Sequence, residues 1–162
     1  MAVRNCREIG ENLQLIIKRL MANDTLVNLL YYTDKDPLSQ TPLTAEQKQE
    51  FVFEKLIKII PKIGTKETAH SIVSVRVTQG SRISNNEFKN VQISIEVFVP
   101  LTQWIIKDTT VRPFAILGAI QESLDDKVIN GVGKMHGGDF VLSFLTDEIG
   151  CYEQTFSLTS YD

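Results

Sequence analysis

Ile72-Val-Ser-Val-Arg-Val-Thr-Gln79 and Val91-Gln-Ile-Ser-Ile-Glu-Val-Phe-Val99 are the two stretches on which the fold turns. In the first, Val73, Val75 and Val77 alternate with Ser74, Arg76 and Thr78. In the second, Val91, Ile93, Ile95, Val97 and Val99 are set against Gln92, Ser94 and Glu96. A period of two is that of a strand with one buried face. The polar stretch from Gly80 to Phe88 is too short for a helical crossover, so the two strands form an antiparallel hairpin with a projecting tip. Pro100, which has no N–H to give a ladder, ends the second strand.

Outward from the hairpin, the pattern changes period. Ile9, Leu13, Ile16, Ile17 and Leu20 mark one face of an amphipathic helix between Asn5 and Met21. Asn23, Asp24 and Thr25 offer capping oxygens to a second, short helix carrying Leu26, Val27, Leu29 and Leu30. The stretch from Tyr31 to Leu43, with two prolines, reads as a long ordered loop. Thr44 and Gln47 fit a capping box, so a short helix starts there. From Phe51 to Pro61 the segment can continue as helix or turn extended, and periodicity does not decide between them. Arg112-Pro113 suits a helix start, followed at helical spacing by Phe114, Leu117, Ile120 and Leu124. After the breaker Asn130-Gly-Val-Gly133, the residues Phe140, Leu142 and Phe144 alternate with Val141, Ser143 and Leu145. Tyr152, Phe156 and Leu158 then share a face opposite Glu153, Thr155 and Ser157, completing a terminal hairpin. The expected fold is α+β, with an antiparallel sheet of about four main strands and helices on one face, a two-layer sandwich in a single domain over residues 1–162.

Composition narrows the function. The chain has 162 residues, 43% apolar and 23% charged, as expected of one ordinary globular domain. Its 17 basic and 20 acidic residues give a net charge of −3, which supplies no broad positive field for a phosphate backbone, so sequence-specific nucleic-acid binding is not expected. No apolar run approaches the roughly 18 to 20 residues of a membrane span, and the N-terminal residues meet charge at once, unlike a signal peptide. The expectation is a protein that stays where it is made. Cys6 and Cys151, one near each end, read as reduced structural thiols.

Little in the sequence carries chemistry. His70 stands at a strand entrance and His136 in a glycine-rich segment, neither beside a metal or triad signature. Gly131-Val-Gly133-Lys134 fails as a phosphate-binding loop, since position 128 is Val and position 135 is Met. Asp34 with Asp36, and Asp125 with Asp126, lack the offsets of a calcium loop and read as solvated turns. Cys151 has no neighbour to lower its pKa. No catalytic residue, cofactor or metal site is expected, and the chain reads as a binding protein and not an enzyme. The candidate interface consists of Tyr31, Tyr32, Asp34 and Asp36 in the long loop, Arg82, Asn85 and Asn86 at the hairpin tip, and Trp104.

Two segments carry a resemblance: Leu29-Leu-Tyr-Tyr-Thr-Asp-Lys-Asp-Pro-Leu-Ser-Gln40 and Val97-Phe-Val-Pro-Leu-Thr-Gln-Trp-Ile-Ile-Lys-Asp-Thr-Thr-Val-Arg-Pro-Phe114. With the order of elements, they make the chain similar to the tail terminator and tail-completion (neck) proteins of contractile-tailed bacteriophages. The resemblance implies a structural virion protein, assembled in the host cytoplasm. It would form a homo-oligomeric ring, usually a hexamer, that caps the tail tube and contacts neck or connector proteins. The loop from Tyr31 to Leu43 and the tip from Ser81 to Glu87 are the candidate contacts. A head-tail connector or other head-completion ring is the alternative role. A small ligand-binding module or enzyme, in which His70 and His136 would matter, is the reading from a different class.

Overall fold

The structure, a computed structural model, describes residues 6–59, 70–83, 87–107, 110–129 and 133–159. Its helices are α1 (Cys6–Met21), α2 (Asp24–Tyr31), α3 (Ala45–Phe51) and α4 (Arg112–Leu124), and its strands are β1 (Ile57–Lys58), β2 (Ile72–Ile83), β3 (Glu87–Pro100), β4 (Val128–Ile129), β5 (Gly133–Leu145) and β6 (Ile149–Thr159). The strands lie in the order β1-β2-β3-β6-β5-β4. β1 runs parallel to β2, and every other pairing is antiparallel. The expected four-stranded antiparallel two-layer sandwich is therefore wrong: among the described residues the sheet has six strands, is mixed, and curls into a half-barrel. Two causes account for the error. β1 and β4 have two residues each, too few to show any period. The long strands carry β-bulges, at Val77 to Ser81 in β2 and at Gly137 to Phe140 and Leu142 to Phe144 in β5, and bulges bend a strand and increase its twist.

The β2–β3 hairpin forms as the alternation requires, with Val75 opposite Ile95 and Val73 opposite Val97. Much of the expected polar loop after Gly80 is strand, because Ser81 still pairs with Lys89 and Ile83 with Glu87. Asn90 takes a left-handed φ of 57°, which asparagine tolerates better than most residues, and it absorbs the slip in register there. On the helix side of the sheet, Val73, Val75, Ile93, Ile95, Val97 and Phe156 are buried in one apolar core with Ile16, Leu20, Leu29, Ile116 and Ile120 from the helices. Of the segment left open between Phe51 and Pro61, the part up to Ile59 resolves as a helix ending at Phe51 followed by β1, with Glu54 at a left-handed φ of 59° turning the chain; Pro61 lies outside the described residues.

The local signals at the helix starts hold. The Asn23 side chain accepts from the Leu26 N–H, and its amide donates to the Ala119 carbonyl and Ser123 hydroxyl of α4, so one residue both caps α2 and fastens it to α4. Thr44 and Gln47 form the reciprocal capping box.

The start of α4 holds what the sequence did not announce. Arg112 is 0% exposed. Its guanidinium donates to four backbone carbonyls, those of Leu29 at 2.6 Å, Tyr32 at 2.8 Å, Asp34 at 2.6 Å and Gln103 at 2.9 Å, and its own N–H donates to Trp104 at 2.7 Å. The end of α2, the loop after it and the segment between β3 and α4 are thus gathered on one side chain. Burial lowers the guanidinium pKa, and Asp34 opposes the shift. Replacing Arg112 by Met, which fills similar space without donors, leaves four carbonyls without this partner; the expected loss is about 4 kcal/mol or more in urea denaturation. Arg112→Lys recovers less than half of that loss, because an ammonium cannot fan out to carbonyls in four directions.

Candidate functional site

The outer edge of β5 is the feature most exposed to a partner. β4 pairs with β5 at Gly133 and Lys134, the backbone of Asp126 and Lys127 bonds Met135, the Asp125 carboxylate accepts from the Gly137 N–H, and no strand among the described residues pairs with that edge further on. The segment Asp139-Phe-Val-Leu-Ser-Phe-Leu145 then follows with its backbone open on one side. Its large side chains are exposed, Phe140 by 49%, Val141 by 55%, Leu142 by 52% and Leu145 by 61%. Edge strands of this character are ordinarily blunted by charge, proline or a covering element, and here Asp139 is the segment's only charge.

The bulges decide which way these side chains point. Between Gly137, opposite Phe156, and Phe140, opposite Gln154, β5 has two residues where β6 has one. The extra residue swings Phe140 and Leu142 onto the face that carries Tyr152, the face packed by α4. A second bulge sends Phe144 to the opposite face, where its ring lies 5.8 Å from Phe98, and returns Leu145 to the helix side opposite Gly150. Sequence alternation had put Phe140, Leu142 and Phe144 together; the structure separates Phe144 from the other two for this reason.

An aromatic cluster results. The Phe114 ring of α4 lies 4.9 Å from Tyr152 and 5.7 Å from Phe140, the latter edge to face, and Phe140 is 6.3 Å from Tyr152. Trp104 adds a ring 6.2 Å from Tyr152 and lies over Gly150, where a Cβ would come within 2.5 Å of the indole. Only glycine fits beneath that ring. Phe114 is 40% exposed, so the cluster continues the apolar edge of β5 onto the helix. Phe114, Phe140, Leu142 and Leu145 thus expose apolar surface together on the helix side of the sheet, the kind of grouped exposure that marks an interaction site.

The opposite face of the sheet holds a charged cluster. Arg76 of β2 pairs with Glu96 of β3, and Glu153 of β6 is 3.8 Å from the same guanidinium nitrogen and accepts from the Ser94 hydroxyl. Burial pushes the Glu96 carboxyl above its ordinary value of 4.5, against the pull of Arg76, and Glu153 adds to the rise. Buried Cys151 beneath them has its thiol pushed up to about 12, first by burial and then by Glu96. A thiol so held is protonated at neutral pH and is a poor nucleophile.

The residues expected at an interface are distributed unevenly. Tyr32, Asp34 and Trp104 are brought to Arg112 through their backbone carbonyls, whereas Tyr31 packs between Tyr32, Phe51 and His70, and the Tyr32 hydroxyl donates to the Thr41 carbonyl at 2.7 Å. Asp34 accepts from the Asp36 N–H and Gln40 amide in a loop turn, and Asp36 meets Lys107 at 3.6 Å. Arg82 lies far along the β2–β3 hairpin, opposite Phe88. Asn85 and Asn86 lie outside the described residues. Phe114, Phe140, Leu142, Leu145 and Tyr152 were not singled out from sequence; the signal was Phe140-Val-Leu142, three consecutive apolar residues in a strand, which needs cover on both faces.

The histidines stand apart. His70 Nδ1 is 3.0 Å from the Tyr31 carbonyl, beside a cavity of about 430 Å³ lined by Tyr31, Phe51, Lys55 and Lys58 among others. His136 Nδ1 is 3.2 Å from Asp126, whose carboxyl is held below its ordinary value first by a hydrogen bond from Lys134. Among the described residues there is no group of three His, Cys, Asp or Glu side chains placed to hold a metal ion.

Fold and surface define an α+β protein with a curled mixed sheet, open and apolar along one edge. A family model, YomW, matches residues 23–157, which takes in everything from the cap of α2 to the last turns of β6. The chain belongs to the YomW family, which is phage-derived. No curated protein matches the chain.

Two measurements check the charged face. A carboxyl whose pKa is raised on folding stabilises the fold fully below its unfolded value and loses that contribution as pH rises through the folded one. The stability of the native chain relative to Glu96→Gln therefore falls as pH climbs from about 4.5 toward neutrality in paired urea titrations, and parallel curves would contradict the assignment. With a disulfide-exchange reagent at pH 8, exposed Cys6 reacts in the folded protein and Cys151 reacts only after denaturant is added.

Proposed function

We propose that the protein is a structural subunit of a phage particle that works by assembly, in the manner of a tail terminator: a ring, of six copies by the resemblance, that caps the tail tube and joins tail to head. Membership of a phage-derived family supports the phage setting. The observation that carries the assembly reading is the open apolar edge of β5, continuous with the ring cluster of Phe114, Phe140 and Tyr152, which in the particle would meet a tube or neck protein and not the next copy in the ring. Its partners on this reading are copies of itself, the tail tube and the neck proteins. Its work is binding and not catalysis, and it needs no cofactor. The loop around Asp34 and Asp36, held out by Arg112, is a second contact surface, directed to the neighbouring ring.

Such a ring can form on its template and not in dilute solution. The test is therefore electron microscopy of purified tail tubes with and without the protein, joined to native mass spectrometry of the released complexes. Ring density at tube ends and a discrete stoichiometry of subunits are the expected result. Protein that leaves tube ends bare but binds portal assemblies would replace the terminator role by a connector role, and binding to neither would overturn the structural reading.

A further inference from the structure

We infer that in the free protein the β5 edge is covered by the β5 edge of a second copy, the two strands running antiparallel about a two-fold axis at Val141. This goes beyond the terminator reading and does not depend on it.

The first support is the match of surfaces. Phe140, Val141, Leu142 and Leu145 are exposed in one run, extended by Phe114, whereas the other large exposed apolar residues, Leu38, Ile105 and Val128, come one to a segment. Among the described residues no second patch of comparable extent could receive the β5 edge head to tail. The surface that matches it in size and character is itself, and a self-complementary contact between identical chains is two-fold.

Charge and strand direction agree with that symmetry. Antiparallel pairing about Val141 places Phe140 opposite Leu142 of the second copy and Asp139 opposite its Ser143. Parallel, in-register pairing would stack Asp139 on Asp139, and like charges directly across a strand pair are destabilising. The regular stretch between the two bulges is short, so the backbone ladder is brief and side-chain burial supplies most of the stabilisation.

The far edge of the sheet explains why growth stops at two. Beyond its pairing with β1 at Val73 and Ser74, the outer edge of β2 presents exposed Thr78 and Gln79 and is broken by two register shifts, the devices that keep strands from adding. One edge is thus suited to pairing and the other is protected, which gives a closed dimer and not a fibre.

The test uses the full chain with Cys6→Ser, so that the exposed native thiol is removed while buried Cys151 stays. Val141→Cys in this background, at the axis, sets two thiols opposite each other at a separation a disulfide can span, and mild oxidation yields a covalent dimer in high proportion. Gln79→Cys on the protected edge yields none above background. Sedimentation velocity across a concentration series shows a monomer–dimer equilibrium for the native chain, and Val141→Asp raises the dissociation constant by about 30-fold or more while circular dichroism is unchanged. A native chain that stays monomeric throughout, or equal cross-linking at positions 141 and 79, would overturn the inference. Dimers that form while tube ends stay bare would leave the inference standing and count against the terminator reading alone; rings on tubes from a chain that never dimerises would do the reverse.

Discussion

Arg112 is the side chain on which the arrangement of loops depends. A guanidinium with no exposed surface must satisfy its donors inside the protein, since a buried donor without a partner costs roughly what several good contacts return. Its position is adverse in another way: it opens α4, where the helix dipole disfavours a cation. Both costs are met by four carbonyls that no regular element uses, those of Leu29, Tyr32, Asp34 and Gln103. The consequence runs outward. Because the guanidinium holds Gln103 and its N–H holds Trp104, the indole is set over Gly150, and the ring cluster with Tyr152 and Phe114 takes its shape from there.

That dependence also explains what could be read from the amino acids and what could not. Alternation in Val73 to Val77 and Val91 to Val99 reports a one-sided strand directly, because each residue's face follows from its position alone. The capping oxygens of Asn23 and Thr44 report helix starts for a similarly local reason. The partners of the Arg112 guanidinium lie 9 to 83 residues away, and no local pattern encodes them. The same holds for β1, whose two residues become a strand only through parallel pairing with Val73 and Ser74.

The candidate surface was half legible for a related reason. Trp104 and the tyrosines stood out as large aromatics beside loops, yet Tyr31 and Tyr32 turned out to spend much of their surface on Phe51, His70 and Thr41. Phe140 and Leu142 looked like ordinary inward residues of a terminal hairpin. Their exposure follows from a topological fact, that β5 has a neighbour on one side only over most of its length. Their direction follows from a bulge, which changes parity without leaving a hydropathy signature. Gly137 and Gly138 are the nearest sequence trace of it; the Asp125 carboxylate accepts from the Gly137 N–H at 2.7 Å just where the strand begins to bend.

The two faces of the sheet divide the work of stability and recognition. On the helix face, apolar burial fixes the sheet against α1 and α4. On the other, Arg76 faces Glu96 and Glu153, an arrangement with one cation and two carboxylates in which the more buried acid is held above its ordinary pKa. Buried charge of this kind returns little net stability, because desolvation offsets attraction. It does make slippage costly: moving β2 by one residue against β3 would carry Arg76 off Glu96 and toward the apolar face, leaving a desolvated carboxyl without its cation. Register in the central strands is therefore held by polarity as well as by pattern. A sheet pinned at its centre can leave the β5 edge apolar without losing its own alignment, and that edge is then available for binding.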